Sequence, residues 1–172
     1  QVQLRQLVYA DWNRQRAGEQ ADLLLRRYPD VRLIWSANDE MAFGVMASAA
    51  QLPNGQKPKL LYSALNNSEE VLQARQSGRV SALVAGHFTL GGWALVLISD
   101  HAAGLDFAQR GGKDRTVRLF MELDATQAAR LQRVLRQDNY GLNFRRFTAR
   151  QQPGIRNYAF SLQPLLAQPV AK

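Results

Sequence analysis

Polar and aromatic side chains at the ends of predicted strands are the residues of this sequence best suited to chemistry. Trp12, Asn38 and Asn66 each follow a short apolar segment. A carboxamide offers a hydroxyl both a donor and an acceptor, and an aromatic ring packs against C–H groups. His87 follows a fourth apolar segment, and Arg14 lies two residues beyond Trp12. Together, the indole and the two carboxamides favour a ligand rich in hydroxyls. His87 and Arg14 are candidate contacts for an anionic or differently shaped ligand.

Each candidate also has a structural interpretation that the sequence leaves open. Trp12 is compatible with a half-buried core ring, and Asn38 with a helix cap, a role that it can combine with ligand binding. His87 fits a hydrogen-bonded histidine between two segments. Arg14 fits a solvated arginine in the first turn of a helix.

Strand-like and helix-like patterns alternate over the first hundred residues, which predicts βαβ units and a mainly parallel sheet. The predicted strands are 3–9, 31–35, 59–64 and 80–85. The predicted helices are 14–28, with Asp11 as its cap, 40–50, a third between Ser68 and Gly78, and 90–102. Residues 53–58 are predicted as a turn. Ligands of open α/β sheets bind at the carboxyl ends of strands, so the candidate side chains are expected at one edge.

The segment 38–44, with the sequence NDEMAFG, resembles the Asn-Asp-x-Met-Ala-x-Gly signature of type 1 periplasmic sugar-binding proteins. The strand-end residues at 9–12, 38–41, 66 and 86–88 also follow the order of ligand contacts in the C-terminal lobe of that family. The resemblance covers roughly residues 4–104. It implies an α/β fold, a three-layer flavodoxin-like lobe that is part of a type 1 periplasmic binding protein.

The resemblance also implies roles for individual residues. Trp12 would stack on a sugar face, Asn38 would bond hydroxyls, and Asn66 would lie where many relatives carry an Asp. Two departures stand out, because Asn66 removes a charged acceptor and Gly86, followed by His87, replaces the usual Gln or Asn. These departures argue against a simple pentose or hexose as the ligand.

The expected organisation has two parts. Residues 1–104 form a ligand-binding lobe with a crossover helix. Residues 105–172 form a hinge-crossing strand at 117–123, a helix opened by a capping box at 124–127, and a basic extended C-terminal arm of the same domain. The arm, 139–172, is the part whose structure the sequence predicts least.

The family pattern places a first lobe upstream of Gln1 and packs the helix 90–102 on it. The apolar side chains of Trp93, Leu95, Val96 and Ile98 would then lack their partner in this chain. An exposed apolar face of this kind favours association, so the isolated chain is predicted to self-associate or to dock on another chain.

Composition narrows the function classes. The net charge is +8, and the part from residue 105 onward carries 12 Lys and Arg against five Asp and Glu. Arg145-Arg146 and the series Arg130, Arg133, Arg136 fit either an acidic partner or a solvated surface. The chain has no cysteine, two histidines and no Gly-rich phosphate loop, so no catalytic residue, metal or cofactor is predicted. No apolar run reaches bilayer length, and no secretory signal lies within the numbered residues.

The resemblance therefore predicts a periplasmic solute receptor that binds a sugar-like molecule between two lobes. Its partner would be an ABC transporter or a membrane sensor, and no nucleic acid is expected. The alternative is the effector domain of a lactose-repressor-type regulator, which has the same fold. An enzyme on a flavodoxin-like scaffold is the third class, and the sequence offers it no catalytic pair.

Overall fold

The computed structural model of the chain describes residues 2–53, 59–108, 111, 112, 114–137, 140, 142–156, 158 and 160–169. The helices are α1 (Arg14–Arg27), α2 (Asp39–Gln51), α3 (Glu69–Gln76), α4 (Leu90–Ala102), α5 (Ala125–Leu135) and α6 (Gln163–Leu166). The strands are β1 (Leu33–Trp35), β2 (Leu61–Leu65), β3 (Ala82–Ala85) and β4 (Met121–Leu123). Most of the turn predicted at 53–58 lies outside the described residues. No helix in the described parts is both long and apolar enough to span a membrane.

The strands lie side by side in the order β1-β2-β3-β4. β1 runs parallel to β2, with Leu33 opposite Leu61, and β2 runs parallel to β3, with Ala64 opposite Leu83. The predicted α/β fold with a mainly parallel sheet is confirmed. The carboxyl ends of β1, β2 and β3 therefore lie at one edge, which is where the loops before α2 and α3 begin.

Side-chain caps fix where the helices start. The Ser68 hydroxyl accepts a hydrogen bond of 3.3 Å from the Val71 N–H, as expected for the first turn of α3. Before α5, Asp124 Oδ1 accepts from the Gln127 N–H at 2.7 Å and Gln127 Oε1 accepts from the Asp124 N–H at 2.9 Å. This reciprocal pair confirms the predicted capping box.

Two predictions near the N-terminus are wrong. Residues 3–9 form no strand, and their apolar side chains are exposed, including Leu4 at 78% and Tyr9 at 80%. Alternation of polar and apolar residues produces a strand only where a neighbouring strand supplies hydrogen bonds. The cap of α1 is Asn13, which accepts from the Arg16 N–H at 2.9 Å, whereas Asp11 forms an ion pair with the Arg16 side chain.

The chain divides into two compact units. The first unit contains Gln1–Val84 and Leu123–Ala128, and the second contains Ala85–Glu122 and Ala129–Lys172. The division that the sequence predicts, between a ligand-binding lobe at 1–104 and the remaining part of the same domain at 105–172, stays a prediction.

In the first unit, α1 and α2 approach closely through small residues. Ala17, Ala21 and Val45 are buried in one cluster. A Cβ placed on Gly44 would lie 1.9 Å from the Arg14 carbonyl oxygen, so only glycine fits at this crossing. The last glycine of the 38–44 signature thus has a packing reason, and the close crossing fixes how the starts of α1 and α2 lie relative to each other.

In the second unit, aromatic residues from the C-terminal part cover one side of α4. Trp93 is 2% exposed, and the centres of the Phe144, Phe147 and Phe160 rings lie 5.2, 4.9 and 5.4 Å from its ring centre. The prediction that Trp93 and Val96 lack a partner in this chain is wrong, because they lie in one apolar cluster with Phe144, Phe147, Tyr158 and Phe160. The edge-to-face pairs that Trp93 forms with Phe144 and Phe160 stabilise the packing beyond the burial of apolar area.

A buried carboxylate ties the same segment to α4. Asp100 accepts hydrogen bonds from the Ala149 N–H, at 3.0 and 2.9 Å to its two oxygens, and from the Tyr158 hydroxyl at 2.6 Å. Leu95 and Ile98 on α4 are exposed, at 66% and 63%. The apolar side of α4 is therefore covered in part.

Candidate functional site

The loop that ends in Asn13 presents an indole to solvent. Trp12 is 67% exposed and has a φ of +59°, and Asp11 before it has a φ of +47°. Non-glycine residues rarely adopt positive φ, and such strain is common where a loop serves binding. The structure therefore favours the exposed-ring interpretation of Trp12 over the half-buried core ring.

Asn38 connects this loop to the start of α2. Its Oδ1 accepts from the Met41 N–H at 2.8 Å, which is the helix-cap role that the sequence suggested. Its Nδ2 donates to the Trp12 carbonyl oxygen at 3.5 Å. Asn38 is half-buried, and the cap uses one lone pair of its oxygen, so amide hydrogen-bonding capacity remains for a ligand.

Asn66 lies directly after β2 at the same edge. Its Nδ2 donates to Asp39 Oδ1 at 2.9 Å, and its Oδ1 accepts from the Asn67 N–H at 2.9 Å. Its φ of +151° lies in a region that side chains rarely adopt. The structure thus brings Trp12, Asn38 and Asn66 together through the pairs Trp12–Asn38 and Asp39–Asn66.

Arg14 is engaged in ion pairs at the start of α1. Its Nε donates to Glu40 Oε2 at 2.9 Å and its Nη2 donates to Glu70 Oε2 at 2.6 Å. The hydrogen bond that Arg14 donates to Glu70 is the main reason that the pKa of Arg14 is raised, with Glu40 adding to it. The guanidinium also lies 4.9 Å from the centre of the Phe43 ring. Arg14 thereby links the starts of α1, α2 and α3, and its role as a ligand contact stays a prediction.

His87 belongs to the second unit and begins a short 3-10 turn, His87–Thr89. Its ring lies 6.1 Å, centre to centre, from both Phe88 and Phe120, and its Nδ1 is buried without a hydrogen-bond partner among the described residues. Gly86 before it has a φ of +132°, and a Cβ there would lie 2.1 Å from the Leu119 carbonyl oxygen. The ligand role of His87 also stays a prediction.

The sequence analysis missed one residue of this edge, Asp39. In the structure Asp39 is 1% exposed and bonded to Asn66. The signal that could have identified it is its place directly after the cap residue, where α2 turns a side chain toward the neighbouring strand end.

The protein family of the chain follows from a match to a family model. The family model described as "Periplasmic binding protein domain" matches residues 2–106. The chain belongs to this family. Members of this family bind substrates and are not enzymes, and the periplasmic location that the sequence predicted is confirmed by the family and its relatives.

Individual relatives of this periplasmic binding protein support the same assignment. The chain is 51% identical to a periplasmic sugar-binding protein of solved structure from Pseudomonas fluorescens, with a TM-score of 0.86 over 95% of this chain and 50% of that one. It is 33% identical over 85 residues, which is 49% of this chain, to the D-allose-binding periplasmic protein of Escherichia coli K12. The arabinose-binding protein AraP of Geobacillus stearothermophilus shares the fold, with a TM-score of 0.61 at 17% identity over 74% of this chain and 44% of that one.

The chain covers only part of each of these relatives. The chain spans 27% of the D-allose-binding protein and 50% of the Pseudomonas protein. These relatives are periplasmic and bind sugars by name, which favours the receptor interpretation over the repressor alternative.

Proposed function

We propose that this chain forms part of a periplasmic solute receptor and supplies one side of a cleft for a sugar-like ligand. The observation that carries the proposal is the grouping of an exposed indole with two carboxamides at the carboxyl edge of a parallel sheet. The Asn38 amide donates to the main-chain carbonyl of Trp12, whose indole is exposed, and Asn66 follows the neighbouring strand. A ring that stacks on C–H groups and amides that bond hydroxyls are the two features that sugar recognition needs.

The remaining side of the cleft would come from a first lobe outside this chain. Enclosure between two lobes moves a ligand out of water, which strengthens each polar contact. The partner in the membrane would be an ABC transporter or a sensor protein. The proposal assigns the chain no catalytic step.

A thermal-shift and calorimetric screen of the complete protein tests the proposal. The probes are the polyol myo-inositol, against which the departures at Asn66 and Gly86 do not argue, and the simple sugars D-allose and L-arabinose, with D-gluconate as an anionic comparison. We expect one neutral probe to raise the melting temperature in proportion to the logarithm of its concentration once it is in excess, because it binds the folded state alone. If no neutral sugar or polyol stabilises the protein at millimolar concentration, the sugar assignment is wrong.

A further inference from the structure

Asp39 is a buried carboxylate whose two oxygens have different surroundings. Oδ1 accepts from the Glu40 N–H at 3.0 Å and from Asn66 Nδ2 at 2.9 Å. Oδ2 is buried and has no hydrogen-bond partner among the described residues. Asp39 itself is 1% exposed, so solvent does not replace the missing partner.

A buried carboxylate with an unpartnered oxygen lowers the stability of the folded state. We therefore expect Asp39 to have a role that offsets this loss. Buried polar atoms in proteins are nearly always hydrogen-bonded, and an unpartnered carboxylate oxygen loses its hydration without recovering it. The positive end of α2 offsets part of this cost, since Asp39 is the first residue of the helix. Asp39 nevertheless directs its bonded oxygen across to the end of β2 rather than to solvent.

The partner that it holds is itself strained. Asn66 has a φ of +151°, a conformation that persists only where its surroundings fix it. Asp39 fixes the amide nitrogen and the Asn67 N–H fixes the amide oxygen. Within the part of the chain that the structure describes, one amide N–H and one oxygen lone pair of Asn66 have no partner, and a hydroxyl group can use both.

We propose that Asp39 is the positioning residue of the site, which holds Asn66 in the orientation that presents one donor and one acceptor to a ligand hydroxyl. This inference rests on the proposed function. It assigns the acid of the Asn38-Asp39 pair a role distinct from that of the amide beside it, because Asn38 caps α2 whereas Asp39 orients the neighbouring strand end.

Side-chain amide NMR of the complete protein, labelled with ¹⁵N in its asparagine side chains, tests the positioning step without any ligand. The Asn66 signal is identified by its loss in Asn66→Ala. We expect Asp39→Ala to shift that signal and to narrow the separation between the chemical shifts of its two protons, because the bonded proton loses its acceptor.

Asp39→Asn keeps an acceptor oxygen and should leave the Asn66 signal closer to wild type. Asp22→Asn, which removes a partly buried acid of α1 that pairs with Arg26, is the matched control and should leave the signal unchanged. An Asn66 signal that is identical in wild type and Asp39→Ala overturns the proposal.

A double-mutant cycle measures the consequence for binding. The probe is whichever of D-allose, L-arabinose and myo-inositol binds the wild type in calorimetry. We expect Asp39→Ala to weaken binding at least tenfold when Asn66 is present, and less than twofold in the Asn66→Ala background. An equal loss in both backgrounds means that Asp39 acts only on stability, which contradicts the proposal. If Asp39→Ala does not fold, Asp39→Asn carries the cycle with the same pattern and a smaller expected loss.

The two experiments separate the inference from the function that it deepens. If no probe binds the wild type, the proposed function fails, and the NMR comparison alone decides whether Asp39 orients Asn66. If a probe binds and the cycle is additive, the receptor proposal stands and the positioning role of Asp39 is wrong.

Discussion

At the residue scale, Asn38 carries two tasks in one side chain. Its oxygen caps α2 through Met41, while its nitrogen contacts the Trp12 carbonyl. Capping can be retained while the amide is removed, because serine is an equally good cap. The two tasks are therefore separable by substitution.

Asn38→Ser is expected to keep the stability of the protein within a few tenths of a kcal/mol, since its hydroxyl still caps α2. The same change should weaken sugar binding about tenfold, because a ligand hydroxyl loses an amide partner. Asn38→Ala should cost about 1 kcal/mol of stability in addition. Urea unfolding and calorimetry of both variants check these values, and normal affinity in Asn38→Ser would limit Asn38 to the capping role.

Tyr62 offers a pH-dependent prediction in the first unit. Burial raises the pKa of its hydroxyl above the ordinary 10.0. The folded state therefore holds the proton more tightly than the unfolded state, so its contribution to stability is full below about pH 10 and declines as the pH rises toward the folded pKa. Tyr62→Phe should show a shallower loss of stability between about pH 9 and pH 11 in urea titrations. Parallel curves for wild type and variant would contradict the burial effect.

At the element scale, the helices α1 to α4 were predicted well, whereas the strand predicted at 3–9 is absent and the strand predicted at 117–123 forms only at its end, as β4. The short helix α6 was not predicted. The starts and ends of α1 to α4 lie within about two residues of the predictions, because caps and apolar periodicity are local properties of the sequence. Whether residues 3–9 become a strand depends on a neighbour that pairs with them, which no local pattern encodes. The same limit applies to the site: its strand-end positions were predictable, whereas the bond between Asp39 and Asn66 depends on the tertiary distance between two loops.

The close crossing of α1 and α2 predicts that a side chain at Gly44 destabilises the protein. Gly44→Ala should destabilise the protein by roughly 3 kcal/mol, because its Cβ would overlap the backbone of α1. Gly91→Ala on α4 is the control, since nothing lies within 4 Å of its Cβ position, and it should stabilise by about 0.5 kcal/mol. Urea midpoints of the two variants relative to wild type are the measurement. Equal changes in stability for the two substitutions would show that the close approach at Gly44 does not contribute to the stability of the protein.

At the scale of the whole molecule, apolar side chains remain on the surface of both units. Val2 and Leu7 are 92% and 64% exposed in the first unit, and Leu95 and Ile98 are 66% and 63% exposed in the second. Surfaces of this kind drive association in water. The basic C-terminal half does not prevent it, since charge repulsion between copies is screened at physiological salt.

The isolated 172-residue chain is expected to self-associate, which is one of the two outcomes that the sequence predicted. Sedimentation velocity over a concentration series measures this directly. Leu95→Gln combined with Ile98→Gln should shift the distribution toward the monomer. A monomer at every concentration, for wild type and variant alike, would contradict the expectation.

Trp12 and its neighbouring amides are proposed to bind a sugar-like ligand. Calorimetry of the complete protein with its best neutral sugar, compared between wild type, Trp12→Phe and Trp12→Ala, tests it most directly. We expect Trp12→Phe to bind within about fivefold of wild type, because a ring face is kept, and Trp12→Ala to bind at least 30-fold more weakly with unchanged stability. Equal affinity of Trp12→Ala and wild type would contradict the claim.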